Sequence, residues 1–274
     1  MNSVAPVSVV VPCFRCKDTI DRAVASVVVQ THRPAELILV DDASGDGTLD
    51  ALYALQRRLG DWVHVRALQV NVGAAQARNV GWDGASQKLV AFLDADDAWH
   101  PRKIELQVAY MQDHPAIALC GHLHRVQEAP VETAAQWDLP LQVQAQPVRW
   151  RDLLLRHQFV TPSVMLRRDL PLRFAAELRY MEDYRLWLEV ASVPLPMAKL
   201  QVELAAIYKP SYGASGLSGD MWAMELAELA VLSHFRATGH LSWPSWLGLA
   251  AYSVLKYLRR LLIVQWRKNR APVG

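Results

Sequence analysis

Two hydrophobic rhythms alternate along the first 126 positions. Short runs rich in β-branched residues predict five strands: "VSVVV" (7–11), "ELILVDD" (36–42), "VHVRALQV" (63–70), "KLVAFLD" (88–94) and "AIALCGHLHRV" (116–126). Between them, "TIDRAVASVVVQ" (19–30), "LDALYALQRRLG" (49–60), "AAQARNVGWDGA" (74–85) and "PRKIELQVAYMQDH" (101–114) space their apolar residues as helices do. Thr19 is placed as an N-cap, Gly60 as a C-terminal stop and Pro101 in a first turn. Strands alternating with helices predict an α/β fold, with a Rossmann-like, mostly parallel central sheet flanked by helices. Ligands bind such sheets at the carboxyl ends of the strands. Three of those ends carry unusual residues: Pro12 to Lys17, Asp41–Asp42, and Asp94–Asp97.

The rhythm weakens after residue 127. Residues 132–148 read as a loop, 149–157 and 182–192 as helices, 161–170 as a strand with a turn, and 198–208 as a strand.

Composition narrows the class. The chain has 274 residues and is 52% hydrophobic, enough to bury one large domain or a domain with an appendage. The net charge of +2 is unevenly placed, since no Asp or Glu follows Glu228. Residues 229–274 hold seven Lys or Arg, which leaves residues 1–228 at about −5. Three cysteines suit a reducing compartment, and the N-terminus reads as a strand rather than a secretory signal. No run of about 20 uncharged apolar residues occurs, so a spanning helix is not expected. No nucleic acid partner is expected, and the oligomeric state is left open.

The acidic turn "FLDADDAW" (92–99) ends a wholly apolar strand. Like charges gathered so closely repel unless something positive holds them. A hard divalent cation, Mg²⁺ or Mn²⁺, takes one or two carboxylates together with substrate phosphates. A solvated loop, or Asp97 capping the following helix, is the plainer alternative. "VDDASGDGT" (40–48) offers Asp42 to a nucleoside, with turn formation by "SGDGT" as the competing role. Arg78, in "NVGAAQARNVG" (71–81), is either a phosphate fork or an ordinary surface arginine. Glu182–Asp183 is either an acidic first turn or a catalytic pair. "CFRC" (13–16) and the set Cys120, His122 and His124 carry weaker redox and zinc readings.

Taken in order, "VSVVVPCF", "ELILVDDASGDGT", "NVGAAQARNVG", "LVAFLDADD", "TPSVMLRRDL" and "MEDYRLWL" resemble family 2 glycosyltransferases of the GT-A fold. The resemblance covers about residues 5 to 210. It implies a nucleotide-sugar donor, a divalent cation and inversion at the anomeric carbon. It also implies a donor-binding set of Pro12, Phe14, Asp41, Asp42, Arg78, Asp94 and Ala95. Asp96 is expected on the metal, and Asp183 as catalytic base with Glu182 beside it. Two departures stand out. "CFRC" replaces the Asn that follows an aromatic in many relatives. "YKPSYGASGLS" (208–218) offers Lys209, a possible diphosphate ligand, but no His.

The expected organisation is a catalytic domain over 1–218, split into a nucleotide-sugar half (1–126) and an acceptor half (127–218), followed by a helical extension (219–274). In that extension Lys256, Arg259, Arg260, Arg267 and Arg270 share a stripe at helical spacing. The stripe suits peripheral contact with an anionic membrane through 245–270, at its cytoplasmic face. The expected activity is transfer of a sugar, from a UDP-sugar by resemblance, to a saccharide or lipid-linked acceptor in cell-envelope polysaccharide synthesis. The alternative is a non-catalytic relative that binds nucleotide or saccharide at the membrane. A dinucleotide oxidoreductase is disfavoured because no G-x-G-x-x-G follows the first strand.

Overall fold

Four of the apolar runs pair side by side. They are β1 (Ser3–Cys13), β2 (His32–Asp41), β3 (Val63–Ala67) and β4 (Leu89–Phe92), joined in parallel in the order β3-β2-β1-β4. Val7, Val9, Val10 and Val11 are all buried, as a parallel strand covered on both faces requires. The helices between them are α1 (Ile20–Val28), α2 (Thr48–Leu59), α3 (Ala74–Asp83) and α4 (Lys103–Asp113). The computed structural model describes residues 3–127, 137–193, 195–208 and 220–270, with side chains from 4 to 264. Its contacts divide the chain into two units, Met1–Tyr208 and Lys209–Gly274. The junction expected at 218–219 falls among residues 209–219, outside the described residues.

Beyond β4 the sheet becomes mixed. The remaining strands are β5 (Ala98–Trp99), β6 (Leu119–Val126), β7 (Ala145–Val148), β8 (Met165–Arg167) and β9 (Met197–Ile207). The short β8 runs antiparallel between β4 and β6, so the fifth predicted strand does not extend the parallel stack directly. β9 lies parallel to β6, while β5 and β7 pair antiparallel with β9. Among the described residues the parallel pairings, those among β1 to β4 and that of β6 with β9, carry most of the register, so the sheet is mostly parallel as expected, with short antiparallel pairings in its second half. Period-two patterning shows that a segment is a strand but not which neighbour it takes. In strands of two to four residues even the period is lost.

Two glycines set distances that matter for the site. A Cβ on Gly81 would collide with the Val10 side chain, so glycine lets α3 lie close on β1. A Cβ on Gly121 would collide with the Phe159 ring, which heads the segment leading to the 3₁₀ turn Thr161–Ser163. Thr19 sits at the expected N-cap, yet its hydroxyl turns back to Cys16 O (3.3 Å) instead of capping α1.

The helices α5 (Trp150–Leu155) and α6 (Glu182–Ser192) complete the first unit. The second unit holds α7 (Met221–Ala237) and α8 (Trp243–Arg270). The Asp220 carboxylate caps α7, accepting from Ala223 N at 2.9 Å. The basic stripe expected on α8 is divided. Lys256 turns to Glu228 of α7 (2.6 Å) and Arg260 to Glu225 (2.9 Å), while Arg259 is exposed. The side chains of Arg267 and Arg270 lie outside the described residues. Helical spacing identified the stripe but not the direction it faces. Two buried glutamates at i, i+3 on the partner helix decide that.

Candidate active site

The carboxyl ends of β1 and β2 are knitted together by short polar side chains. Pro12 lies opposite Val40 in the register, and Phe14 follows, 46% exposed. Arg15 takes a left-handed backbone (φ 49°) and donates its N–H to Ser44 Oγ at 3.1 Å. Asp41 accepts from the same hydroxyl (2.6 Å) and from Ser44 N (3.3 Å), so its carboxylate is spent on the turn. Asp42 accepts from Val72 N (2.7 Å) and Gly73 N (2.9 Å). Gly73 is the N-cap residue of α3 and has no side chain to cap with. The buried Asp42 carboxylate, just after β2, instead holds the N–H of that residue and of the one before it, at the positive end of the helix. The nucleoside role expected of Asp42 therefore competes with a structural one.

The acidic cluster is a turn closed by Asp97 N donating to Asp94 O at 3.1 Å. Asp94 and Asp96 are partly exposed, and the Ala95 side chain between them packs into the apolar core. Asp97 does not cap the next helix. It is buried and accepts from Tyr208 N at 3.3 Å, tying the turn to the end of β9. Arg22 of α1 donates to Asp96 O at 2.5 Å and lies 3.9 Å from the centre of the Tyr208 ring. Sequence reading missed Arg22, because an arginine in a helix pattern carries no local sign of its partner.

Arg78 occupies the centre. One terminal nitrogen donates to Asp94 Oδ1 (2.8 Å), the other to Glu182 Oε1 (2.9 Å), and its side chain is 7% exposed. Burial opposes its charge, but Asp94 and Glu182 outweigh that and raise its pKa further. The surface-arginine alternative is thereby removed. Asp183, next in the chain, is pushed up to about 6 by burial first and by the Glu182 charge second. Arg78, Tyr184 N (2.7 Å) and the Thr161 hydroxyl (3.3 Å) pull the other way. Met181, just before this pair, is held at φ 61°. The non-glycine residues with positive φ among the described residues are Arg15, Ala43 and Met181, and all three flank these loops. Strain of this kind, about 1–3 kcal/mol per residue, gathers where surrounding structure over-determines the backbone.

Asp94, Arg78, Glu182 and Asp183 are thus brought together, while Pro12, Phe14, Asp41 and Asp42 form the adjoining strand ends. Lys209 lies outside the described residues. A divalent cation suits the donor set, since Asp94 and Asp96 are hard oxygen donors and both reach solvent. Among the described residues no three His, Cys, Asp or Glu side chains gather as a complete metal cage. The zinc and redox readings gain no support. Cys13, Cys16 and Cys120 are free and buried, and burial raises the Cys13 thiol and pushes Cys120 to about 12.

Comparison with known proteins gives the family and the fold. Residues 8–172 match the family model described as "Glycosyl transferase family 2". The chain is 42% identical over 107 residues to the "Putative teichuronic acid biosynthesis glycosyltransferase TuaG" of Bacillus subtilis (strain 168), a match covering 39% of this chain and 42% of that protein. It is 28% identical over 184 residues to "UDP-Glc:alpha-D-GlcNAc-diphosphoundecaprenol beta-1,3-glucosyltransferase WfgD" of Escherichia coli, covering 67% of this chain and 69% of that one. The matches therefore span less than half of the first relative and about two thirds of the second. Among solved structures, S. aureus TarS 1–349 in complex with UDP-GlcNAc superposes with TM-score 0.64 at 19% identity, over 93% of this chain and 72% of that one. The mannosyltransferase PcManGT from Pyrobaculum calidifontis, in complex with GDP-Man and Mn²⁺, gives 0.59 at 17%, over 94% and 87%. At such identities the likeness is one of fold, and the fold is GT-A.

Proposed function

Because this chain belongs to glycosyl transferase family 2, we propose that it transfers a sugar, with inversion, from a UDP-sugar to a lipid-linked saccharide at the cytoplasmic face of a membrane. The reading rests on one contact set: Arg78 bonds both Asp94 and Glu182, which joins the acidic turn to the carboxylate pair. TarS is described with UDP-GlcNAc, and WfgD is named for a diphosphoundecaprenol acceptor. Both descriptions favour this donor and acceptor class.

Inverting displacement needs a base opposite the leaving group. Asp183 takes the acceptor hydroxyl proton on its carboxylate. A value of about 6 leaves it ionised at neutral pH while more basic than an ordinary aspartate. Thr161 and Tyr184 N orient its two oxygens. Glu182 raises its basicity, and Arg78 keeps the two carboxylates from repelling Asp94. Pro12, Phe14 and the Asp41–Asp42 turn line the nucleoside, with Ala95 contributing backbone. Asp96 and Asp94 would hold a divalent cation together with the donor diphosphate, and Lys209 is a further diphosphate candidate. When bound, the cation supplies positive charge for the departing diphosphate. On this reading 1–126 serves the donor and 127–218 the acceptor.

Calorimetry with UDP, GDP, dTDP and CDP, in Mn²⁺ and then in EDTA, tests the proposal. Selective UDP binding that collapses with chelator is expected. Absence of binding to every nucleotide by the folded protein would refute it.

A further inference from the structure

The α7–α8 hairpin is built with its charges inside. Glu225 and Glu228 are 1% and 2% exposed, and Arg260 and Lys256 turn inward to meet them. Ser253, on the same side of α8, is 1% exposed. The opposite side of α8 is apolar and open. Leu247, Val254, Leu255, Leu258 and Leu262 are between 42% and 69% exposed. At 3.6 residues per turn these five fall within an arc of about 100°, roughly opposite Ser253 and Arg260. On α7, Trp222 and Leu226 (57% and 48% exposed) are likewise open, four positions apart. In water this arrangement is unfavourable twice over. Leucines stay hydrated, and ion pairs are desolvated. An apolar medium removes the first penalty, and the pairing of Lys256 and Arg260 with the glutamates keeps their charges off the face that would enter it.

Charge selects the occupant of that face. Residues 209–274 carry eight Lys or Arg against three Asp or Glu. Two copies packed through this face would bring like charges together, whereas an anionic lipid surface attracts them. Arg259, exposed at the flank of the leucine arc, stands where a headgroup would lie. Among the described residues no helix is long and apolar enough to cross a membrane, which leaves an orientation in the interface plane.

We propose that the outward leucine face of α8 docks into an anionic bilayer by apolar insertion, while Lys256 and Arg260 stay bound to Glu228 and Glu225. The inference deepens the reading of a lipid-borne acceptor and rests on it for its biological sense. It differs from docking by a basic stripe in one measurable respect. Insertion survives salt, and attraction between exposed charges does not.

The test is flotation of the full chain with phosphatidylglycerol–phosphatidylethanolamine vesicles, at low salt and at about 1 M NaCl, where the screening length is roughly 3 Å. Retention on the vesicles at high salt is expected. The double variant Leu255→Glu, Leu258→Glu alters exposed positions and should partition at least about tenfold more weakly, with UDP binding unchanged. Release of the wild type by salt, absence of flotation, or a solution dimer that the double variant dissolves would each overturn the proposal. Loss of UDP binding with flotation retained would sink the enzymatic reading and leave this one standing.

Discussion

Arg78 and Glu182 are 104 positions apart in the chain and meet at 2.9 Å. The same guanidinium holds Asp94 at 2.8 Å. A single buried cation therefore joins the turn after β4 to the start of α6.

Removing that cation leaves partly buried carboxylates without a counter-charge. Arg78→Met is expected to lower the unfolding free energy by about 3 kcal/mol. Arg78→Lys retains the charge but cannot fork to both partners, so about half of that loss is expected. Urea unfolding monitored by fluorescence measures both. A change under roughly 0.5 kcal/mol for Arg78→Met would mean the ion pairs are solvated and contribute little.

Asp42 separates two roles. At the N-terminus of α3 it accepts two backbone N–H groups, so Asp42→Ala should cost about 1–2 kcal/mol of stability as well as weakening UDP binding. A variant with weaker UDP binding and unchanged unfolding would assign Asp42 to the nucleoside alone.

The raised pKa of Asp183 has a consequence for stability. An unfolded aspartate titrates near 3.9, and this one near 6. Between those values the folded state binds the extra proton, so the group favours folding at low pH. That contribution is complete below about pH 4 and is lost as pH rises through about 6. At pH 7.5 an ionised Asp183 thus costs on the order of 3 kcal/mol. Asp183→Asn should be more stable than wild type at pH 7.5, with the difference fading towards pH 4. Thermal unfolding across pH decides it, and a variant equally unstable at every pH would refute the raised pKa.

The parts of this protein that sequence made legible share one property: their signal is local. β1, β2 and β4 are continuous apolar runs because both faces are buried, and the Asp94 and Glu182 clusters stand out as carboxylates beside apolar segments. What stayed hidden depends on partners far along the chain. β5, β7 and β8 are two to four residues long and exist through their neighbours in the sheet. Arg78 read equally well as a phosphate ligand or a surface residue until Asp94 and Glu182 appeared on either side of it. The raised Asp183 pKa owes more to burial than to the neighbouring Glu182, and burial is not written in a dipeptide. Lys256 and Arg260 formed the predicted stripe, but Glu225 and Glu228 turned it inward.

The most direct test of the account is Asp183→Asn assayed beside wild type for sugar transfer and for UDP binding. If Asp183 is the base, turnover falls about 10²–10⁴-fold while UDP affinity stays within about twofold. Wild-type turnover should also decline below pH of about 6. Turnover by Asp183→Asn within about tenfold of wild type, with the same pH profile, would contradict the assignment and place the proton acceptor elsewhere.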